Sequence, residues 1–352
     1  MQFQKHFLSL FLLLIILSAC SEKQFELLSI KENNYKITTE KDLTNSSYVA
    51  KIDSFYNSGT DGFLDGKNNI KIYYKYFLQA SQETEKGAIL ISDGRTEAVV
   101  KYKEMIFDLY QNGYSVYIHD HRGQGFSGRM VSDSDMGFVD NFQNYIDDMK
   151  QFYNSILLPN NHKKRFLLAH SMGGAIGMLY LEQHTKDFDA AAFSSPMLGL
   201  SFPTCALIGI LAGDEPKYAM GNTDYENGIE PFAENTLTNC EIRYNRMLKV
   251  FEEYPKARLG GATYQWVYKS CKAFDIIFDN YTKIETPLIL FSGEEEAIVD
   301  PTAHKKLIND LIDKGNNAKG YLVNGAKHEL FISRDKNRIP VINKVLSFYN
   351  SF

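Results

Sequence analysis

Cysteine is scarce in this chain. There are four in 352 residues, at positions 20, 205, 240 and 271, and no two form a CxxC pair. Such spacing offers neither a zinc-type nor a dithiol motif. Concentrated positive charge is also missing. Lys and Arg number 38 against 43 Asp and Glu, the net charge is -5, and the cations are scattered, which argues against a nucleic-acid surface. No apolar run reaches the ~20 residues that a bilayer span requires. Internal repeats and low-complexity tracts are lacking as well. What the chain does have is 44% hydrophobic and 13% aromatic residues, a globular composition with ample material for a core. The length suits one large α/β domain with an insertion, or two domains.

The N-terminus, "MQFQKHFLSLFLLLIILSAC", opens with Lys5 and His6, continues as an apolar run from Phe7 to Leu17, and ends at Leu17-Ser18-Ala19-Cys20. Polar "SEKQ" follows at once, so the run is expected to be an export signal rather than a span. Leu-Ser-Ala-Cys resembles a bacterial lipoprotein signal, in which the cysteine is diacylated and becomes the first residue. The resemblance implies a signal peptide over 1–19, lipid attachment at Cys20, and a membrane-anchored protein of the bacterial cell envelope. Residues 20–50 are polar and without period, as in a tether. Cys205, Cys240 and Cys271 then remain: either one disulfide and a free thiol, or buried thiols.

From position 70 the pattern changes. Ile70 to Phe77 alternates and is rich in β-branched and aromatic residues, predicting an antiparallel strand. "GAILIS", "YSVYIHD", "RFLLAH", "DAAAFSSP", "TPLILFSG" and "KGYLVNG" read as further strands. Several are continuous apolar runs, as in strands buried on both faces. Helical patterns lie between them, including "VVKYKEMIFDLYQNGY", "FQNYIDDMKQFYNSIL" and "GGAIGMLYLEQH". This alternation predicts an α/β fold, a mostly parallel sheet flanked by helices. It fails between Pro196 and about Trp266. We therefore expect a helical cap over 197–266, inserted between core segments 51–196 and 267–352.

At "FLLAHSMGGAIG" a strand passes into a helix through a lone serine with small neighbours. That is the nucleophile-elbow pattern, G-x-S-x-G, here Ala169-His170-Ser171-Met172-Gly173, with Ala in place of the first Gly. A serine needs a base, and the base an orienting acid. In this architecture they follow in the order Ser, acid, His. "TPLILFSGEEEAIVDP" offers Glu294, Glu295, Glu296 and Asp300 after a strand, and spacing alone does not choose among them. "KGYLVNGAKHELF" offers His328, the one histidine of eight that follows a late strand. His170 is expected to be structural, His304 to lie on the surface of a helix, and His119, His121, His162 and His184 to serve packing or surface. Met172, next to the nucleophile, should supply one oxyanion-hole N–H.

Four motifs, "DHRGQGFSGR", "AHSMGG", "SGEEEAIVDP" and "GAKHEL", resemble the lysophospholipase and monoacylglycerol lipase branch of the α/β-hydrolases. "DGRTEAVVKY" and "TYQWV" are similar to bacterial lysophospholipases in particular. The resemblance runs from about Asp53 to Phe352. It implies Glu296 as the acid, four residues before a supporting Asp300, and the Arg95 N–H as the second oxyanion donor, although Asp93 stands where relatives often carry His. It also implies a serine hydrolase cleaving esters of single-chain lipids, with no metal or organic cofactor. An esterase, thioesterase, acyltransferase or aminopeptidase of the same fold, or a silent binding lipoprotein, are the alternatives.

"GQGFSG" matches G-x-G-x-x-G but opens no helical pattern, so a loop rather than a dinucleotide site is expected. The apolar cap segment from Pro196 to Gly213 suits either an acyl groove or the cap's own core, and Tyr264 and Trp266 are candidates to line that groove.

Overall fold

The computed structural model describes residues 25–29, 33–201, 203–226 and 230–352. The signal peptide and Cys20 lie outside the described residues. Among the described residues nine strands form one sheet: β1 (Phe25–Leu27), β2 (Thr60–Asp65), β3 (Lys71–Phe77), β4 (Gly87–Ser92), β5 (Tyr114–His119), β6 (Arg165–His170), β7 (Ala190–Ser194), β8 (Leu288–Gly293) and β9 (Ala318–Val323). Their order is β1-β9-β8-β7-β6-β4-β5-β3-β2. β2 and β3 pair antiparallel, as do β3 and β5; every other pairing is parallel.

The continuous apolar strands have a simple cause. In β6, Leu167 and Ala169 enter one core while Phe166 and Leu168 enter the other, and β4 divides Ala88 and Leu90 from Ile89 and Ile91 in the same way. Side chains alternate across a strand, so a sheet covered on both faces needs apolar residues at every position. Helices supply the covers: Lys103–Gln111 and Asp335–Tyr349 on one side, Gln143–Phe152, Met172–Gln183 and Pro301–Asp313 on the other.

The tether expected over 20–50 is corrected for its described part. β1 pairs with β9, and the helices Glu40–Leu43 and Ser46–Asn57 follow. Polar composition misled the reading because the polar groups are used inside. Thr38 is fully buried; its N–H and hydroxyl donate to Asp108 at 2.9 and 2.7 Å, and its carbonyl accepts from Arg338 at 3.1 Å and Arg243 at 3.2 Å.

Between β7 and β8 the chain leaves the sheet for helices Thr204–Leu211, Glu241–Glu253 and Tyr264–Asn280. The last runs on past Trp266 to pack against Met172–Gln183, and sheet order resumes only at Leu288. A disulfide joins Cys205 to Cys271, while Cys240 is a buried free thiol. No helix among the described residues is long and apolar enough to cross a membrane.

Candidate active site

Ser171 follows β6 directly and precedes the helix Met172–Gln183, with φ 50° and ψ -119°. A non-glycine residue at positive φ is strained, and the surroundings must hold it there. They do: the Ser171 N–H donates to Ser194 O at 3.1 Å, and Ser171 O accepts from Met197 N and Gly174 N, both at 2.8 Å. The turn is so tight that a Cβ on Gly173 would come within 2.2 Å of Ser92 O, and one on Gly174 within 2.4 Å of the Pro196 ring. The double glycine is therefore a steric requirement of the elbow.

The structure brings the three expected side chains together from loops after β6, β8 and β9. Ser171 Oγ and His328 Nε2 are 2.9 Å apart, and His328 Nδ1 lies 2.8 and 3.0 Å from the Glu296 oxygens. An ionised carboxylate only accepts, so Nδ1 carries the proton and Nε2 is left to accept from the serine hydroxyl. The Glu296 side chain is fully buried, and that of His328 nearly so. Burial would push the Glu296 carboxyl up. The hydrogen bond and charge of His328, with N–H groups of Ile298 and Val299 donating at 2.8 and 3.2 Å, outweigh it and hold the carboxyl at about 2. The other acids have different work. Glu294 accepts from Gly325 N at 2.8 Å, Glu295 is exposed, and Asp300 caps the helix Pro301–Asp313 by accepting from Thr302 N at 2.9 Å.

Met172 is the first residue of its helix, where N–H groups have no intrahelical acceptor. Arg95 sits in the turn after β4. Its guanidinium donates to Gly260 O at 2.9 Å and lies 5.4 Å from the Trp266 ring, so the turn after β4 and the inserted segment touch. Trp266 is buried and donates from Nε1 to Tyr145 OH at 3.3 Å; Tyr264 is half-buried and its N–H donates to Lys217 O at 2.9 Å. Asp93 is fully buried, 3.3 Å from His121 Nε2. Burial, then the nearby Asp120 and Glu97, raise its carboxyl well above the usual range.

"GQGFSG" forms a loop with no helix opening from it. It is held by Asp120, which accepts from Val99 N and Phe126 N, each at 2.6 Å. One histidine needs correction. His304 is not on the surface but fully buried, donating to Pro196 O at 2.7 Å and pairing with Ser292 Oγ at 3.0 Å, and burial lowers it to about 4. It lies on the inward face of its helix, where polar partners from β8 and the loop after β7 satisfy both ring nitrogens.

Sequence reasoning missed a second polar cluster beside the first. The side chains of Glu97, Lys101, Glu329 and His170 are all buried, and each residue is one to six positions from a site residue. The adjacency of His170 to Ser171 and of Glu329 to His328, with Glu97 and Lys101 four apart after Arg95, was the available signal.

Comparison with known proteins bears on the family. Residues 83–335 match the family model described as Hydrolase_4: Serine aminopeptidase, S33. The chain is 33% identical over 313 residues to lysophospholipase L2 of Escherichia coli K12, covering 86% of this chain and 91% of that one. It is 32% identical over 309 residues to probable lysophospholipase L2 of Haemophilus influenzae, covering 86% and 96%. A soluble variant of monoglyceride lipase from Saccharomyces cerevisiae, solved in complex with a substrate analogue, superposes with TM-score 0.64 at 18% identity, covering 83% and 96%. With the elbow, the sheet order and the family model in agreement over most of its length, the chain belongs to the Hydrolase_4 family of α/β-hydrolases.

Proposed function

We propose that this protein hydrolyses carboxylic esters of single-chain lipids, such as lysophospholipids or monoacylglycerols, through an acyl-enzyme on Ser171. The observation that carries the reading is the unbroken relay from Glu296 to His328 to Ser171. His328 Nε2 takes the hydroxyl proton as Ser171 Oγ attacks the ester carbonyl. The N–H groups of Met172 and Arg95 receive the developing oxyanion, each such donor contributing about 3–4 kcal/mol in comparable sites. His328 then protonates the leaving alcohol. Water, deprotonated by the same imidazole, releases the fatty acid, and Glu296 steadies the imidazolium throughout.

The lipid part of the reading is supported by the names of the lysophospholipase L2 relatives and by the inserted segment. Its helix Thr204–Leu211 turns Ile208 inward, while Leu207, Ile210 and Leu211 lie exposed on one face, and Met220 and Ile276 are exposed on the same insertion. Exposed apolar surface of this kind is what an acyl chain or a lipid surface would meet. We also propose that Cys20 is the lipid attachment point of a cell-envelope protein. The Leu-Ser-Ala-Cys sequence and the Cys205–Cys271 disulfide, a bond typical of oxidising compartments, support this.

Fluorophosphonate labelling followed by a panel of lysophospholipids, monoacylglycerols, short esters and peptide amides tests the activity. Labelling at Ser171 with turnover of the first two classes is expected. Cleavage of short esters alone would remove the lipid assignment, and cleavage of amides alone would favour an aminopeptidase. Incorporation of a labelled fatty acid into wild type but not Cys20→Ser tests the anchor.

A further inference from the structure

"DGRTEAVVKY" holds Glu97, Lys101 and Tyr102, residues with no part in the relay. Their side chains are buried and converge. The Lys101 ammonium donates to Glu97 Oε1 and to Glu329 Oε1, the latter at 2.7 Å. Glu97 Oε2 accepts from the Gly94 N–H and from Tyr102 OH at 2.6 Å, while Gln124 donates to Gly94 O at 2.7 Å. The other Glu329 oxygen lies 3.5 Å from His170 Nε2. His170 Nδ1 donates to Ser194 O at 3.0 Å, the same carbonyl that receives the Ser171 N–H. Ligand-type atoms of Glu97, His170 and Glu329 fall within 4.8 Å of one another, the spacing of a cation pocket. The Lys101 ammonium, bonded to two of the three, is the cation there.

Two loops therefore meet at one ammonium, and the elbow joins them through the far oxygen of Glu329. Gly94, held by Glu97, precedes the proposed oxyanion donor Arg95. His170 precedes Ser171, and Glu329 follows His328. We propose that Lys101 is a positioning residue that sets the spacing of the oxyanion turn, the elbow and the base loop, acting through Glu97 and Glu329. The inference rests on the serine-hydrolase reading above. It has a mechanical logic: near-attack geometry is lost over distances of about 1 Å, at a cost of up to about 100-fold in rate.

A cavity of about 140 Å³ adjoins the pin, lined in part by Glu97, Lys101, Glu104, Arg243, Glu329 and Phe331. It gives a small amine a route to the ammonium position and so makes chemical rescue possible. Lys101→Ala is expected to lower kcat on a soluble short-chain ester by about 10- to 100-fold and to leave KM within about 2-fold. Methylammonium should restore several-fold of that loss, whereas tetramethylammonium, which cannot donate hydrogen bonds, should not. Lys101→Arg should retain more activity than Lys101→Ala. A folded Lys101→Ala with wild-type kcat would overturn the proposal, as would a loss that both ammonium ions leave unrepaired. Should Lys101→Ala fail to fold, Glu97→Gln decides: it keeps the Lys101–Glu329 bond but weakens the hold on Gly94, so kcat should fall at constant KM, and an unchanged kcat overturns the pin. The rate of fluorophosphonate labelling at Ser171 is measured alongside, so the pin is judged even where no ester is cleaved. Failure of wild type to label at all would instead overturn the hydrolase reading.

Discussion

Two histidine–glutamate pairs stand back to back in this molecule, and one member of each, His328 and Glu329, are neighbours in the chain. His328 pairs with Glu296 and His170 with Glu329, their rings 4.9 Å apart between centroids. In the first pair Glu296 approaches to 2.8 Å and leaves the opposite ring nitrogen facing a hydroxyl. In the second the carboxylate is shared with Lys101, and the opposite nitrogen is tied to a main-chain carbonyl. Identical side chains thus have different chemistry according to what the far nitrogen meets. A nitrogen offered a serine O–H is a base; one committed as a donor to a carbonyl is a strut.

Substitutions that cross this divide should have unequal effects. Ser171→Ala removes the only group on which the first pair acts; turnover should fall by about 10⁴-fold or more with little change in melting temperature. Activity persisting in that variant would remove the proposed nucleophile. Glu296→Gln should come next, with a loss of about 10²- to 10⁴-fold because the amide no longer fixes the imidazole tautomer or balances its charge. The same carboxylate carries a pH signature. Held at about 2 when folded, against roughly 4.3 in an open chain, Glu296 contributes stability that is present above the unfolded value and lost as pH falls toward 2. Melting curves of wild type and Glu296→Gln should therefore converge on acidification.

His170→Asn tests the strut. Burial pulls this imidazole down, but Glu329 and Glu97 more than compensate and raise it above its ordinary value. Its contribution to stability is then complete below about 6.5 and fades as pH rises through the raised value. The melting-temperature gap between wild type and His170→Asn should be widest near pH 5–6 and narrow in alkali, with turnover reduced by only about 3- to 10-fold. A gap independent of pH would mean that the pairing with Glu329 contributes little. Smallest in its effect on chemistry should be reduction of Cys205–Cys271. Closing a loop with sequence separation 66 contributes up to about 4 kcal/mol by chain entropy, so melting should drop while short-ester turnover stays within about 2-fold.

The parts of this architecture legible in the sequence are those with local signals. Apolar runs marked β4 to β9 because both sheet faces are covered, and small residues around Ser171 marked the elbow because the turn admits nothing larger. Which of four acids faces His328 was not local. Glu294, Glu295 and Glu296 are consecutive, and only the loop geometry after β8 turns one of them inward. Long-range pairing hid the rest. Thr38 looks like linker until Asp108 and Arg338 are brought to it, and His304 looks like a surface residue until Pro196 and Ser292 are. β2, Thr-Asp-Gly-Phe-Leu-Asp, has four of its six residues exposed and only Phe63 and Leu64 apolar, so it lacks the density of apolar residues that betrayed its neighbours.

The indole of Trp266 is the only one in the chain, and it lies buried against Arg95 of the turn after β4. Emission excited selectively in the indole, beyond the absorption of the 22 tyrosines, is therefore a report from a single address, the seam where the insertion meets the sheet. An unlabelled sample in a fluorimeter can record whether that seam opens when an acyl chain enters.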